Sequence, residues 1–386
     1  MGSGQLTLRR TLIVGQFAIS QILIIGTIIA YSQMQLFRST DLGYNKDAVL
    51  TVPIPNKAEG NQLTNLRAKL VGQPGIQSMS YSMSTPSARG NWWTSFRYGP
   101  ANKVAEFTVV MRPADTAYFR TYGLKLIAGR IQHPSDSISE FVVNEAFVKK
   151  LGFRNPQQIL GQFLSDFNGS KVKKPIVGVV KDFNTFSLHQ RTEACIITTL
   201  EGAYRRLSIK LSPQATNQES ISRLLKTVEQ SWSATFPDFV FNYEFADKAI
   251  NNFYQTEERQ FSLFRLLAGI AIFIGCLGLY GVVAFMAESR TKEVGIRKVL
   301  GASTAHIFHL FSFDFVKLVA IALVIASPVA WYVMTNWLKD IDYKVSIEWW
   351  MFAVSGLVAV VVALLTVSFQ SLKAALMNPV KSLRSE

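Results

Sequence analysis

The sequence predicts an α-helical membrane protein with four transmembrane helices and an α/β extracytoplasmic domain inserted between helices 1 and 2. The domain reads as a split β-α-β lobe carrying an inserted second lobe. Three observations predict this arrangement. Four apolar runs, Leu12 to Tyr31, Phe264 to Ala287, Phe311 to Trp337 and Trp349 to Phe369, reach the ~20 residues that cross a hydrocarbon core of about 30 Å. From Leu42 to Asn252 no such run occurs, and strand, helix and turn patterns alternate. Arg9-Arg10, the cluster from Arg290 to Lys298, and Lys373, Lys381 and Arg384 all fall on one side of the crossings, which the positive-inside rule makes cytoplasmic. Both termini are then cytoplasmic, and the long domain translocates largely regardless of its charge.

Composition agrees with membrane residence. The chain of 386 residues is 49% hydrophobic with 27 Phe, and its mean hydropathy is +0.19. A formal charge of +14 would suggest nucleic acid in a soluble chain, but no basic, aromatic-interleaved tract is present, and the basic residues flank apolar runs instead. Cys195 and Cys276 lie far apart, which argues against a disulfide framework.

In order, residues 1–41 hold an N-terminal tail, transmembrane helix 1 and a stalk; 42–252 the extracytoplasmic domain; 253–287 a stalk and helix 2; 288–303 a cytoplasmic amphipathic helix; 304–338 helix 3; 349–370 helix 4; and 371–386 a cytoplasmic tail. Leu12 to Tyr31 is too long for a signal peptide's apolar region, and no small-x-small cleavage site follows Ala30. Its Gln16, Ser20 and Gln21 read as contacts between helices. Within the domain, Ala48 to Val52, a helix from Asn61 to Leu70 and Ile76 to Met83 form one β-α-β unit. Leu207 to Leu211, a helix from Gln214 to Trp232 and Phe239 to Phe245 form another, and two such units can pair into one split sheet. The insert has strands at Val104 to Met111, Phe141 to Val143 and Ile176 to Val180, a short helix from Thr116 to Tyr122, and a helix N-capped by Asn144 that ends at Gly152. Lys171, Lys173 and Lys174 read as a solvated turn. Asp182, Ser187 and His189 are the residue types of a hydrolytic triad, but nearness in sequence assigns nothing without geometry.

In the second span Gly275, Gly278 and Gly281 recur every third position, and in the last Ser355, Ala359 and Ala363 recur every fourth; small residues so spaced let helices approach closely. Pro328 removes a backbone hydrogen bond and predicts a kink in the third span. His306 and His309 share a helical face, yet no third ligand candidate stands beside them, so packing or headgroup contact is preferred to a metal site. The spans are read as free of the charged residues that an ion path would need.

The stretch between the second and third spans is the most informative. Glu288 with Lys292, and Glu293 with Arg297, are i,i+4 pairs in acid-first order, each worth roughly 0.2–0.5 kcal/mol to a helix. Val294, Val299 and Leu300 mark an apolar side, and Gly301 suits the position past a helix C-terminus. Taken alone, this is either a solvated basic loop or a short amphipathic helix that docks on a partner.

With these residues the chain resembles the MacB/FtsX-like permease family of ATP-binding cassette systems, from Leu8 to Glu386. Glu288 to Ala302 is similar to the family's R-T-x-E-I-G-I-R-K-A-x-G-A segment, and Asn378 to Arg384 to its terminal motif. Tyr122 to Arg130, Val143-Asn144-Glu145-Ala146 and Gly178 to Phe183 are similar to its periplasmic core domain. The resemblance implies that Glu288, Arg290, Lys292, Glu293, Val294, Gly295, Ile296, Arg297, Lys298, Leu300 and Gly301 form a coupling helix seated in a groove of a cytoplasmic ATPase dimer. ATPase closure would then move the stalk and the outer domain. No G-x-x-x-x-G-K-[ST] phosphate loop occurs in the chain, so it is expected to be no enzyme and to hold no cofactor or metal, with ATP and Mg bound by the partner.

The chain also resembles the second half of longer members with two four-span units in tandem, and Met1-Gly2-Ser3-Gly4 suits the start of a fragment. The second permease unit is therefore either another copy or a tandem sister half, and an extracytoplasmic adaptor or substrate protein is a further expected partner. The implied setting is a bacterial inner membrane, and the implied function is a permease subunit for export or extraction of a substrate. The alternative is an FtsX-like regulator that relays ATPase state to an outer hydrolase or sensor without transport. A membrane hydrolase using Asp182 and His189 is the least supported reading.

Overall fold

Ser78-Met79-Ser80-Tyr81-Ser82 alternates small polar with larger side chains, a period of two that gives a strand two unlike faces. The computed structural model describes residues 3–56, 58–88, 90–99, 102–165, 172–213, 217–289 and 304–375. In it this stretch belongs to a four-stranded sheet of β1 (Val49–Pro53), β2 (Ile76–Ser82), β12 (Arg206–Leu211) and β13 (Glu244–Phe245), ordered β13-β1-β12-β2 with every neighbouring pair antiparallel. A helix, α2 (Gly60–Leu70), joins β1 to β2, and α5 (Gln218–Ser233) joins β12 to β13. This is the split pair of β-α-β units. Leu66, Leu70, Val228 and Trp232 of the helices are buried against Leu50, Val52, Tyr81, Leu207 and Ile209 of the strands. The other face carries the buried hydroxyls of Thr51, Ser78, Ser80, Ser82 and Ser208. A short helix, α3 (Tyr118–Tyr122), packs there: Tyr122 Oη lies 2.8 Å from Ser208 Oγ, and Thr121 Oγ1 lies 3.2 Å from Ser78 Oγ.

Between β2 and β12 the chain builds a second lobe. Its strands are β3 (Trp92–Thr94), β4 (Arg97–Tyr98), β5 (Lys103–Val104), β6 (Val109–Pro113), β7 (Leu126–Gly129), β8 (Phe141–Asn144), β9 (Phe163–Ser165), β10 (Lys174–Val180) and β11 (Cys195–Thr198). They form one mixed sheet in the order β3-β6-β11-β8-β10-β9-β4-β5, with β7 also on β10. Asn144 caps α4 (Glu145–Lys150): its Oδ1 accepts from Phe147 N at 3.1 Å and from Cys195 N at 2.9 Å. Phe147 in turn packs 5.2 Å from the Phe96 ring in a separate apolar core.

Three expected elements come out differently. Val104 to Met111 is two strands, because the chain turns between them and β5 and β6 take separate places in the sheet. Phe239 to Phe245 shrinks to β13: Val240 is 91% exposed, and Trp232 Nε1 donates to the Phe239 carbonyl at 3.1 Å, so this stretch serves the helix rather than the sheet. The helix expected from Gln214 begins at Gln218, capped by the Asn217 side chain, with 214–216 outside the described residues.

Residues 40–255 form one unit, and residues 1–39 with 256–386 form the other. The second contains most of four helical stretches long and apolar enough to cross a membrane: Thr11–Ser39, Ala246–Gly281, Phe315–Asp340 and Trp349–Ser368. They lie in α1 (Ser3–Ser39), α6 (Ala246–Asn251) with α7 (Gln255–Ser289), α8 (Thr304–Trp337) and α9 (Trp349–Ala375). Ile13, Phe17, Ala18, Val319, Ala322, Ala326, Ala359 and Ala363 form their shared core. Gln21 Nε2 donates to the Val319 carbonyl at 3.1 Å. Gln33 is fully buried and grips the α8–α9 connection with both ends of its amide, donating to Tyr343 O and accepting from Val345 N, each at 2.8 Å. Pro328 lies inside α8, which runs unbroken from Thr304 to Trp337, and Ser327 Oγ bonds the Leu323 carbonyl at 2.7 Å. Neighbouring Ser/Thr hydroxyls help satisfy carbonyls where proline interrupts a membrane helix.

Two outcomes follow. Trp232→Ala should destabilise the detergent-solubilised chain by roughly 3–5 kcal/mol in denaturant titration, whereas the exposed Val240→Ala should stay within about 0.5 kcal/mol. Gln33→Ala removes two part-buried hydrogen bonds, each worth about 0.5–1.5 kcal/mol, and should raise the labelling rate of a cysteine placed at Ser346; an unchanged rate would mean that the clamp does not hold the connection.

Candidate functional site

The residues with the strongest functional reading lie between α7 and α8. Glu288 and Ser289 end α7. Arg290, Lys292, Glu293, Val294, Gly295, Ile296, Arg297, Lys298, Leu300 and Gly301 lie outside the described residues, as does Ser303 ahead of α8. The structure thus fixes the elements at both ends of the stretch: a helix that ends at Ser289 and another that begins at Thr304. His306 and His309 fall on the first turns of α8, at backbone level only.

The small-residue positions occupy two environments. A Cβ on Gly278 would stand 2.7 Å from Gln16 Oε1, and one on Gly275 would meet Ser20 Oγ at 3.9 Å, so these two glycines face α1. Gly281 has nothing within 4 Å of such a Cβ among the described residues. Three-residue spacing advances 300° around a helix, so three glycines drift off one face. The four-residue stripe of Ser355, Ala359 and Ala363 is buried along its length, and Ser355 Oγ donates to Gln21 O at 3.4 Å.

The spans are not free of charge. Arg265 lies near the start of the second and Lys317 near the start of the third. Both are exposed and sit over aromatic rings: Arg265 is 5.9 Å from the Phe261 centroid, and Lys317 Nζ is 4.4 Å from that of Phe313. Such side chains lay their stems along apolar surface with the charge toward an interface, which differs from lining an interior path.

In the outer unit, the three residue types of a triad do not assemble as one. Asp182 Oδ1 accepts from Ala146 N at 2.7 Å, its own N–H donates to Glu145 Oε2 at 3.0 Å, and its carboxylate lies 3.5 Å from Lys149 Nζ, so the contacts described for it run to α4. Burial raises the Asp182 pKa, opposed by Ala146 N–H and Lys149. Ser187 Oγ and His189 Nδ1 are 2.9 Å apart, and the His189 ring stacks on Tyr254 at 5.8 Å. Lys173 is exposed, Lys174 opens β10, and Lys171 lies outside the described residues. Among the described residues no group of His, Cys, Asp and Glu is arranged to hold a metal.

Sequence reasoning missed Arg112. It is wholly buried and donates to Ser84 Oγ, the Thr85 carbonyl and, at 2.7 Å, Asn91 Oδ1, tying down the chain that leaves β2. An arginine inside an apolar strand was the available signal.

Comparison with known proteins gives the following. Residues 265–379, from α7 past the end of α9, match the FtsX-like permease C-terminal family. The macrolide export ATP-binding/permease protein MacB of Escherichia coli is 25% identical over 281 residues, covering 70% of this chain and 42% of that protein. MacB of Aggregatibacter actinomycetemcomitans is 26% identical over 210 residues, covering 50% and 30%. The chain thus spans less than half the length of the curated relatives it matches. The periplasmic region of MacB from Actinobacillus actinomycetemcomitans aligns at 18% identity and a TM-score of 0.37, covering 56% of this chain and 97% of that one. Residues 265–379 thus match the FtsX-like permease C-terminal family, and the chain is similar over 70% of its length to a MacB protein.

Proposed function

We propose that this chain is the permease subunit of an ATP-binding cassette system, and that residues 288–303 are its coupling helix, taking the motion of a separate cytoplasmic ATPase dimer. The observation that carries the reading is the family match over residues 265–379, which contains this stretch whole. The chemistry of the stretch supports docking. Val294 and Leu300 would lie in a groove while Glu293, Arg297 and Lys298 set register and partner choice. ATP and Mg would be bound by the partner.

The helices supply a way to pass motion on. α8 leaves the coupling stretch and is tied to α1 through Gln21 and to α9 through buried alanines, so a push on its start displaces packed helices together. The outer unit, residues 40–255, would then do work on an extracytoplasmic substrate for export or extraction; its size favours this over a bare relay of ATPase state. In this reading the protein sits in the inner membrane with its termini cytoplasmic, pairs with a second permease unit, either another copy or a sister half, and meets any adaptor on the outside.

Glu293→Lys, or Gly295→Trp, should abolish stimulation of the partner ATPase while insertion and thermal unfolding of the chain stay unchanged; co-purification and ATPase rates equal to wild type would contradict the coupling role. Single cysteines at Glu219, whose side chain is 80% exposed, and at Ser289 test orientation with a membrane-impermeant maleimide. In intact spheroplasts only the first should react, and labelling of Ser289→Cys from outside would invert the topology.

A further inference from the structure

Ser262, Arg265, Leu266, Gly269, Ile270 and Phe273 follow one another at the three- and four-residue steps of a helix, so they form one stripe along α7. All six are exposed. The stripe lies on the far side of α7 from Gly275 and Gly278, which face α1. It lines an open groove of about 450 Å³, within the range of small-ligand sites. Gly269 makes the gap, with nothing within 4 Å of where a Cβ would stand. Leu266 and Phe273, a turn to either side of it, are 60% and 64% exposed and keep the groove apolar.

The groove runs inward from the level of the membrane surface. Trp337 at the end of α8 donates from Nε1 to Gln260 Oε1 at 3.2 Å, and the rings of Tyr31 on α1 and Phe261 on α7 lie 6.1 Å apart. Three helices thus bring aromatic rings to one end of the spans, where such groups sit at the interface. Arg265 lies five residues beyond Gln260, about 7.5 Å deeper along the axis. Its guanidinium nevertheless stands 5.9 Å from the Phe261 ring, reaching back toward the surface. Arg259, also exposed, precedes Ser262 by one turn as Arg265 follows it. Among the described residues neither arginine forms an ion pair. Glu258 is paired with Arg38 at 2.9 Å, and Glu257, five full turns before Gly275, falls on the side that faces α1. An aromatic face attracts a cation without neutralising it. The head of the groove is therefore cationic and lacks an anion, and its body is apolar.

We propose that this stripe holds an anionic phospholipid of the leaflet on the outer unit's side, with its phosphate on Arg259, Ser262 and Arg265 and one acyl chain in the groove beside Gly269. Charge complementarity favours a lipid over a second copy of the chain. The stripe carries no carboxylate, so a two-fold contact through it would set Arg265 against Arg265. A headgroup phosphate supplies the missing charge, and anionic headgroups attract basic residues at the membrane surface.

Native mass spectrometry of the detergent-solubilised full chain, titrated with phosphatidylglycerol, phosphatidylcholine or glycerol 3-phosphate, tests this. One phosphatidylglycerol should bind ahead of all others, at least about fivefold tighter than phosphatidylcholine, and Arg265→Gln should weaken it by about that factor. Gly269→Leu, which fills the groove without changing charge, should abolish the preferred site. Both replacements favour helix at exposed positions, so thermal unfolding of the lipid-free chain should not fall. Lys317→Gln, at the other exposed cation of the spans, should leave the site intact. Glycerol 3-phosphate, which offers the phosphate without the chains, should not bind at lipid concentrations. Equal uptake of the two lipids, uptake indifferent to Arg265→Gln or to Gly269→Leu, a loss matched by Lys317→Gln, or glycerol 3-phosphate binding as tightly as the lipid would each overturn the proposal. So would a change from two copies to one in either stripe variant with phosphatidylglycerol retained, since the stripe would then be a contact between chains. No ATPase enters the assay, so its outcome is separable from that of the permease reading.

Discussion

Hydrocarbon offers no water to a polar group, and an unpaired one there costs several kcal/mol. That constraint orders the membrane unit. Its helices close their own backbone hydrogen bonds; the hydroxyls of Thr27, Ser32, Ser327, Thr366 and Ser368 bond the carbonyl one turn back on their own helix, while a few polar side chains reach other elements. α1 carries most of them: Gln21 on α8, Gln33 on the α8–α9 connection, and Gln16 and Ser20 beside the glycines of α7. Half of the apolar window of α1 is buried, against 17% for the stretch Ala246–Gly281. α1, α8 and α9 therefore form one interlocked set, with α7 held at fewer points. The proposed coupling stretch joins the lightly held helix to a firmly held one, a connection suited to moving α7 against the other three.

The outer unit follows a different rule. Water is available, and burial of apolar area organises two cores, one between α2, α5 and the split sheet and one inside the mixed sheet. The inserted lobe leaves from β2 and returns at β12, adjacent strands of the same sheet, and is fastened further by the pairing of Ser82 with Ala114 and of Arg67 with Asp115. Two cores joined along one seam leave a cleft beside it, and the charged and aromatic groups that a core excludes collect there.

Local periodicity made much of this legible. The spans follow from length and hydropathy, and both β-α-β units from alternation flanking helices with Leu63, Leu66 and Leu70 or Leu224 and Val228. What escaped depends on partners distant in sequence. Nothing near Gln33 announces that it bonds residues 343 and 345. Phe239 to Tyr243 has strand composition but lacks a neighbour to pair with, and the turn between β5 and β6 is set by the sheet rather than by a glycine or proline. Arg265 and Lys317 were visible as letters, but only their placement over Phe261 and Phe313 gives them a role. The proposed coupling role of residues 288–303 rests on their sequence and on the family match over residues 265–379, which makes their contact with a partner the central claim.

The most direct test is site-specific photocross-linking. A benzophenone amino acid replaces Val294, Arg297 or Leu300 in turn, and a fourth probe replaces Ser382 in the tail. With the partner ATPase co-expressed, the account predicts adducts to the ATPase from the first three positions, changing in yield when nucleotide is trapped. Adducts from Ser382 alone, or none from positions 294 to 300, would contradict it.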